Sequence, residues 1–220
     1  MQDILNYFVN HRHNLNEKFV PKSVTGRIHK LNRNDRDKLK SELFTKAKEF
    51  ETKIDFSAID WIQVCLNVID KNAFHFNQVF FSPGHEIKDE IRNLLRRAES
   101  SVDLCIFTIT DNELAGEIIS CYKRGVNVRI ITDDEKTEDN GSEIYRLSTT
   151  EIPVKIDHSH YHMHNKFGII DNKFAITGSF NWTYTATKHN QENLLATSKF
   201  EIVKQYSEEF EQLWQKLFDL

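Results

Sequence analysis

The chain has 220 residues, 39% of them hydrophobic and 28% charged, with a formal net charge of −4 at pH 7. That length and balance fit a folded chain with a substantial core and exclude a low-complexity or disordered one. No window approaches the roughly eighteen consecutive apolar residues of a membrane span, and Met1-Gln2-Asp3-Ile4-Leu5-Asn6 has no basic stretch leading into an apolar run, so neither a membrane helix nor a secretory signal is read.

The three cysteines, Cys65, Cys105 and Cys121, are widely spaced and odd in number, which excludes zinc-finger chemistry and fits a reduced, cytoplasmic protein. Charge is unevenly spread. Residues 1–76 carry 13 Lys+Arg against 10 Asp+Glu, a net of +3, and residues 77–220 carry 16 against 23, a net of −7. A nucleic-acid binder is usually basic, so contact with nucleic acid would have to come from a local patch.

From the N-terminus, Met1 to Arg33 is polar, holds Pro21 and Gly26, and predicts one short helix amid loop. Asn34 to Lys53 places Leu39, Leu43, Phe44, Ala47 and Phe50 at helical spacing, with Asn34 or Asp35 as the cap. A second helical pattern runs through Phe56, Ile59, Ile62, Val64, Leu66 and Ile69. The pattern changes at Phe76, so residues 1–76 are expected to form a helical appendage and residues 77–220 a separate domain.

Val79-Phe80-Phe81 reads as a strand, and His85 to Ala98 as an amphipathic helix through Ile87, Ile91, Leu94 and Leu95. Val102 to Ile109 is an apolar strand. Asp111 caps a helix that ends at Arg124-Gly125, and Val126 to Ile131 is the next strand. Glu143 to Leu147 looks helical. Pro153 to Ile156, Lys166 to Ile170 and Lys173 to Ile176 read as short strands, the last two joined by Asp171-Asn172. Asn193 to Ala196 is a further strand, and Phe200 to Leu217 a final amphipathic helix. Strands alternating with helices predict an α/β domain with a mixed, mostly parallel sheet and helices on both faces.

The chemistry concentrates in His164-Asn165-Lys166-Phe167-Gly168-Ile169-Ile170-Asp171, then Gly178-Ser179-Phe180-Asn181, then Glu192. Seven fixed identities at fixed spacing have a chance probability on the order of 10⁻⁹ per start position. This pattern, HxKxxxxD then GSxN then E, resembles the phospholipase D superfamily, and most of all its small bacterial endonucleases with one motif per chain. The resemblance runs from about Phe81 to Leu217 and includes the helix, turn and strand from Leu114 to Asp133. Residues 1–76 lie outside it.

The residue types suit the chemistry that the resemblance implies. A phosphodiester is anionic and needs a nucleophile, a general acid and charge stabilisation. The imidazole of His164 can attack phosphorus, and Lys166, two residues on, leaves the same face of a strand to bind a non-bridging oxygen. Ser179 and Asn181 offer neutral donors to phosphate oxygens. Glu192 is the expected partner of the His164 ring, fixing its tautomer as an orienting carboxylate does. The family's pattern makes Asp171 a structural member of the motif. It also requires two histidines, one to attack and one to protonate the leaving oxygen. A single copy therefore implies a homodimer sharing one active site across a two-fold axis.

Other features invite alternative readings. His158, His160, His162 and His164 alternate as metal ligands on a strand do, but the resemblance implies chemistry with no metal and no other cofactor. Asp133-Asp134-Glu135 is read as a solvated loop after a strand end rather than a magnesium site. Phe180 and Trp182 flank Asn181, and either one, Trp182 foremost, is a candidate to stack on a base, against apolar packing under the loop.

The expected function is a metal-independent nuclease acting on DNA, with RNA as an option, and with no membrane association. The alternatives are a phospholipase D or cardiolipin hydrolase, and a catalytically silent nucleic-acid-binding scaffold. The basic N-terminal region is expected to contact nucleic acid, a protein partner or the second subunit.

Overall fold

A computed structural model describes residues 1–50, 57–73 and 76–220. The chain forms two compact units, Met1–Phe74 and His75–Leu220.

In the first unit α1 (Gln2–Asn10), α2 (Lys22–Lys30), α3 (Arg33–Phe50) and α4 (Ala58–Asn72) enclose a core of Ile4, Phe8, Ile28, Leu39, Leu43, Trp61, Cys65 and Ile69. Two helices and a short turn at Glu17–Phe19 therefore replace the single helix expected before Arg33. Pro21 sits at the N-cap of α2, where its missing N–H is harmless, so it starts a helix instead of breaking one. Helices of nine residues are marginal alone, and the few apolar side chains they bury hold them in place. The Asp35 N–H donates to Asn32 Oδ1 at 2.9 Å, and Asn32 Nδ2 returns the bond to the Asp35 carboxylate, so the cap of α3 is Asn32. In α4, capped by Ser57, Trp61 and Cys65 face the core and Ile59 is exposed. The expected helical positions Lys53 and Phe56 lie outside the described residues.

The second unit runs β1 (Asn77–Phe81), α5 (Glu86–Arg97), β2 (Ser101–Ile106), α6 (Asn112–Lys123), β3 (Asn127–Thr132), α7 (Ile144–Ser148), β4 (Val154–Ile156), β5 (Lys166–Ile170), β6 (Phe174–Gly178), α8 (Tyr184–Lys188), β7 (Asn193–Thr197), α9 (Phe200–Lys216) and β8 (Phe218–Asp219). The eight strands form one sheet in the order β1-β7-β6-β5-β2-β3-β4-β8.

The α/β class and the helices on both faces match the sequence, but the sheet is not mostly parallel. Only β2–β3 and β3–β4 pair in parallel, through helical crossovers. The pairings β2–β5, β5–β6, β6–β7, β7–β1 and β4–β8 are antiparallel. The β5–β6 link shows why. Asp171 and Asn172 take φ of 55° and 50°, a left-handed pair that makes a tight hairpin turn, and so short a link allows no crossover.

Alternation along β2 and β3 supplies two cores. Leu104 and Ile130 face Ile87, Ile91, Leu114 and Ile118 of α5 and α6. Cys105 and Ile131 face Val203 and Phe210 of α9. On the first side a buried ion pair ties the two helices. Lys88 Nζ donates to Asp111 Oδ2 at 2.8 Å, and the other oxygen of Asp111 caps α6 by accepting from the Glu113 and Leu114 N–H groups. No helix among the described residues is long and apolar enough to cross a membrane.

Candidate active site

Register brings the motif residues to one end of the sheet. Lys166 opens β5 opposite Ile106, the last residue of β2, while Gly178 closes β6 opposite Leu194 of β7. His164 lies just before β5, where the Phe107 N–H still donates to the Asn165 carbonyl at 2.9 Å and keeps the chain extended. His164 and Lys166 therefore reach the same group. The His164 ring centroid is 4.4 Å from that of Phe107, and Lys166 Nζ lies 4.8 Å from the same ring while donating to the His164 carbonyl at 2.8 Å. Phe107 was not singled out in the sequence, where it reads only as part of an apolar strand.

His164 is exposed, and neither of its ring nitrogens has a hydrogen-bond partner among the described residues. Partial burial, and then the Lys166 charge, hold its pKa below the usual histidine value, which favours the neutral imidazole. Burial also lowers the Lys166 pKa, while the nearby Glu192 carboxylate works against that shift and so marks its proximity.

Glu192 does not orient His164 within the chain. Its two oxygens accept from the Ser179 hydroxyl and from Asn190 Nδ2, the latter at 3.0 Å. Its backbone is fixed to Ser82, whose N–H donates to the Glu192 carbonyl and whose Oγ accepts from the Glu192 N–H. Ser82 and Asn190 are supports that the motif does not reveal. Gly178 lets the strands close here, since a Cβ on it would fall 2.0 Å from the Asn193 carbonyl oxygen. The Asn181 side-chain oxygen is buried without a hydrogen-bond partner among the described residues.

Two expected site residues stand elsewhere. Asp171 is at the far end of β5, about 16 Å along the strand from Lys166. There its carboxylate accepts from the Glu99, Ser100 and Ser101 N–H groups and from the Ser100 hydroxyl. Although burial opposes the shift, these bonds hold its pKa below the ordinary Asp value. Trp182 is 1% exposed, packed in the core with Phe180, and its backbone pairs with Ile109. Apolar packing wins there, and no face is left for a base.

Beside His164 the acidic run departs from a solvated loop. Asp133 is 0% exposed, because it follows β3 into the sheet end and accepts from His162 Nδ1 at 3.0 Å. His162 meets the edge of Phe107 at 5.4 Å. Donor atoms of Asp133, Glu135 and His162 lie within 4.8 Å of one another, as do those of Asp133, Asp134 and Asp157. The four alternating histidines are not gathered into one cluster: His158 lies 3.6 Å from Asp134, and His160 joins neither group.

Comparison with known proteins places this arrangement. The model of the family described as "Cardiolipin synthase, PLD-like domain" matches residues 91–214, more than half of the chain. The mitochondrial cardiolipin hydrolase of Xenopus tropicalis is 44% identical over 123 residues, which cover 56% of this chain and 59% of that protein. The chain thus spans little more than half the length of that curated relative. Among solved structures, NucT from Helicobacter pylori aligns with a TM-score of 0.60 and 26% identity, covering 67% of this chain and all of its own. The phospholipase D family member Nuc from Salmonella typhimurium shares the fold, with a TM-score of 0.63 at 24% identity over 67% of this chain and 99% of its own. With the HxK, GSxN and Glu192 positions gathered at one sheet end, the chain belongs to the phospholipase D superfamily, through a PLD-like domain.

Proposed function

We propose that this chain is a metal-independent phosphodiesterase that cleaves nucleic acid, DNA foremost, through a phosphohistidine on His164. The observation that carries the reading is the His164 imidazole, exposed and unengaged at both nitrogens, beside the Lys166 ammonium on a shared aromatic support. In the first step an imidazole nitrogen attacks phosphorus. The N–P bond forms, the P–O bond to the leaving group breaks, and the leaving oxygen takes a proton from a second histidine. In the second step water attacks phosphorus and gives a proton to the second histidine; a P–O bond forms, the N–P bond breaks, and the phosphate ester leaves with the His164 imidazole restored. Lys166, with Ser179 and Asn181, offsets charge on the non-bridging oxygens. Glu192, already bound to Ser179, sets the donor geometry and the local charge at Lys166.

The second histidine comes from His164 of a second copy, so the working unit is a homodimer with one shared site. The N-terminal unit, with its net positive charge, supplies phosphate contacts or a protein-docking surface. Exposed Tyr161 and Tyr184, at 85% and 62%, lie on the segments that lead to His164 and away from Asn181, and offer ring faces to bases.

A second reading, hydrolysis of cardiolipin or another phospholipid, is favoured by the 44% identity to the Xenopus protein. Purified protein is incubated in EDTA with plasmid and, separately, with cardiolipin vesicles. Degraded plasmid with intact lipid supports the nuclease, the converse supports the lipase, and loss of plasmid cleavage in EDTA that added metal restores, in His162→Ala as in the unmodified chain, rules out the metal-free mechanism. Binding of DNA with neither reaction would leave only a silent scaffold. His164→Ala must abolish whichever activity appears.

A further inference from the structure

We propose that Asp133, Glu135 and His162 form a binding site for one divalent transition-metal ion, of the Zn²⁺ or Mn²⁺ kind, separate from the reacting groups. Asp133 is fully buried, and its Oδ1 atom has no hydrogen-bond partner among the described residues. An unsatisfied carboxylate oxygen in a dry site is costly enough to demand an explanation, and a bound ion is one.

The surrounding charge sharpens the point. Among the described residues, the ion-pair partners of Asp133, Asp134 and Glu135 are histidines, with no lysine or arginine among them. Lys136, the next residue, is committed to Asp139. Among the described residues, then, these carboxylates have no lysine or arginine in ion-pair contact, although the Lys136 and Lys166 ammonium groups lie nearby over Phe107.

The donor set and its spacing fit an ion. His162 Nδ1 is 3.0 Å from Asp133 Oδ2, the edge of an octahedral shell with bonds of about 2.1 Å and about 0.4 Å short of the roughly 3.4 Å edge of a tetrahedral one. Glu135 Oε2 is 3.9 Å from the same nitrogen. Its side chain is 67% exposed, so a small torsional change closes that gap without disturbing the core. One imidazole with two carboxylates suits zinc or manganese better than magnesium or calcium, which prefer an all-oxygen shell. Half-exposed His162 and Glu135 leave a path for the ion and positions for water. Ligation would tie the segment that carries His164 to the end of β3, two residues from the nucleophile, without entering the bond changes at phosphorus.

The 220-residue chain, stripped with chelator and dialysed, is titrated calorimetrically with zinc chloride and, in a second run, manganese chloride. Saturable binding of one ion per chain is expected for at least one metal. His162→Ala and Glu135→Gln, both at exposed side chains and checked for fold by circular dichroism, should each weaken binding by more than the roughly 10–100-fold that loss of an outer-shell partner costs. The His158→Ala/His160→Ala double variant and His164→Ala should bind as the unmodified chain does. The His164→Ala arm separates this site from the proposed reaction, which that variant abolishes. No saturable binding of either metal, unchanged affinity in His162→Ala, or loss of binding in the His158/His160 double variant would overturn the proposal, the last by assigning the metal to surface histidines.

Discussion

Replacing Asp171 tests whether a motif carboxylate can serve the fold alone. Its Oδ1 accepts from the Ser100 N–H at 2.7 Å, the Ser100 hydroxyl at 2.8 Å, the Ser101 N–H at 3.0 Å and the Glu99 N–H at 3.1 Å. In Asp171→Ala these donors lose their acceptor. At a half-exposed site each contributes about 1 kcal/mol, the middle of the range for an ordinary hydrogen bond and less than a fully buried charged one, for a total of about 3–4 kcal/mol. Alanine at φ 55° adds roughly 1 kcal/mol, since left-handed backbone disfavours it. In Asp171→Asn the amide oxygen can still accept and asparagine tolerates this backbone, so the loss is about 1–2 kcal/mol, the charge assistance alone. At about 3 °C per kcal/mol, the alanine variant should melt about 12–15 °C lower and the asparagine variant about 3–6 °C lower.

The folded-state pKa of Asp171 is lowered, so its stabilisation is present above the unfolded pKa and is lost as pH falls through the folded value. The gap between unmodified and Asp171→Asn proteins should therefore close on strong acidification. Calorimetric melting across pH, with turnover measured well below each melting point, provides the assay. An Asp171→Asn variant with unchanged stability but abolished turnover would refute the structural role.

The other predictions probe the sheet end. Lys166 acts as the ammonium, and its pKa is lowered, so turnover should fall on the alkaline side at a lower pH than an ordinary lysine would set; Lys166→Arg should carry that limb to higher pH, and an unmoved limb would assign it to another group. Gly178→Ala forces a methyl against the Asn193 carbonyl and should cost about 3 kcal/mol or more, read as a fall in melting temperature together with loss of activity. Mixing unmodified and His164→Ala chains, with exchange shown by mixed-tag pull-down, should lower activity as the square of the unmodified fraction. A linear fall would place a second catalytic histidine within one chain, with His162 the first to examine.

Residues whose role is local were legible in the sequence. Lys166–Ile170 emerged as a strand with its bounds intact, because the Asp171-Asn172 turn punctuates it, and the Asp111 cap announced α6. Strand direction was less legible, since a helix between two strands signals a parallel crossover only when the chain returns to the same sheet end. The two-residue β8 carries no periodicity at all and exists because it pairs with β4. Burial misled at Trp182 and Asp133. An aromatic after a motif reads alike whether it stacks outward or packs inward, and an aspartate in an acidic run reads as solvated until its neighbours enclose it. The partner of Glu192 was hidden because Ser82 and Asn190 are close in space and far apart or unmarked in sequence.

The hydrogen bonds between Ser82 and Glu192 make one part of the site depend on a long-range strand pairing. The β5–β6 hairpin closes a loop of only a few residues and can form early, whereas β1 pairs with β7 across more than a hundred intervening residues, at a higher loop-closure entropy. His164 and Lys166 thus rest on β5 and its pairings with β2 and β6, while the backbone of Glu192 rests on β1 as well. A nascent chain emerging through β6 already presents the imidazole and ammonium, but it has no carboxylate to complete the site. Within one chain the site is therefore complete only once β1 and β7 have paired, and it then still needs the histidine that a second copy supplies.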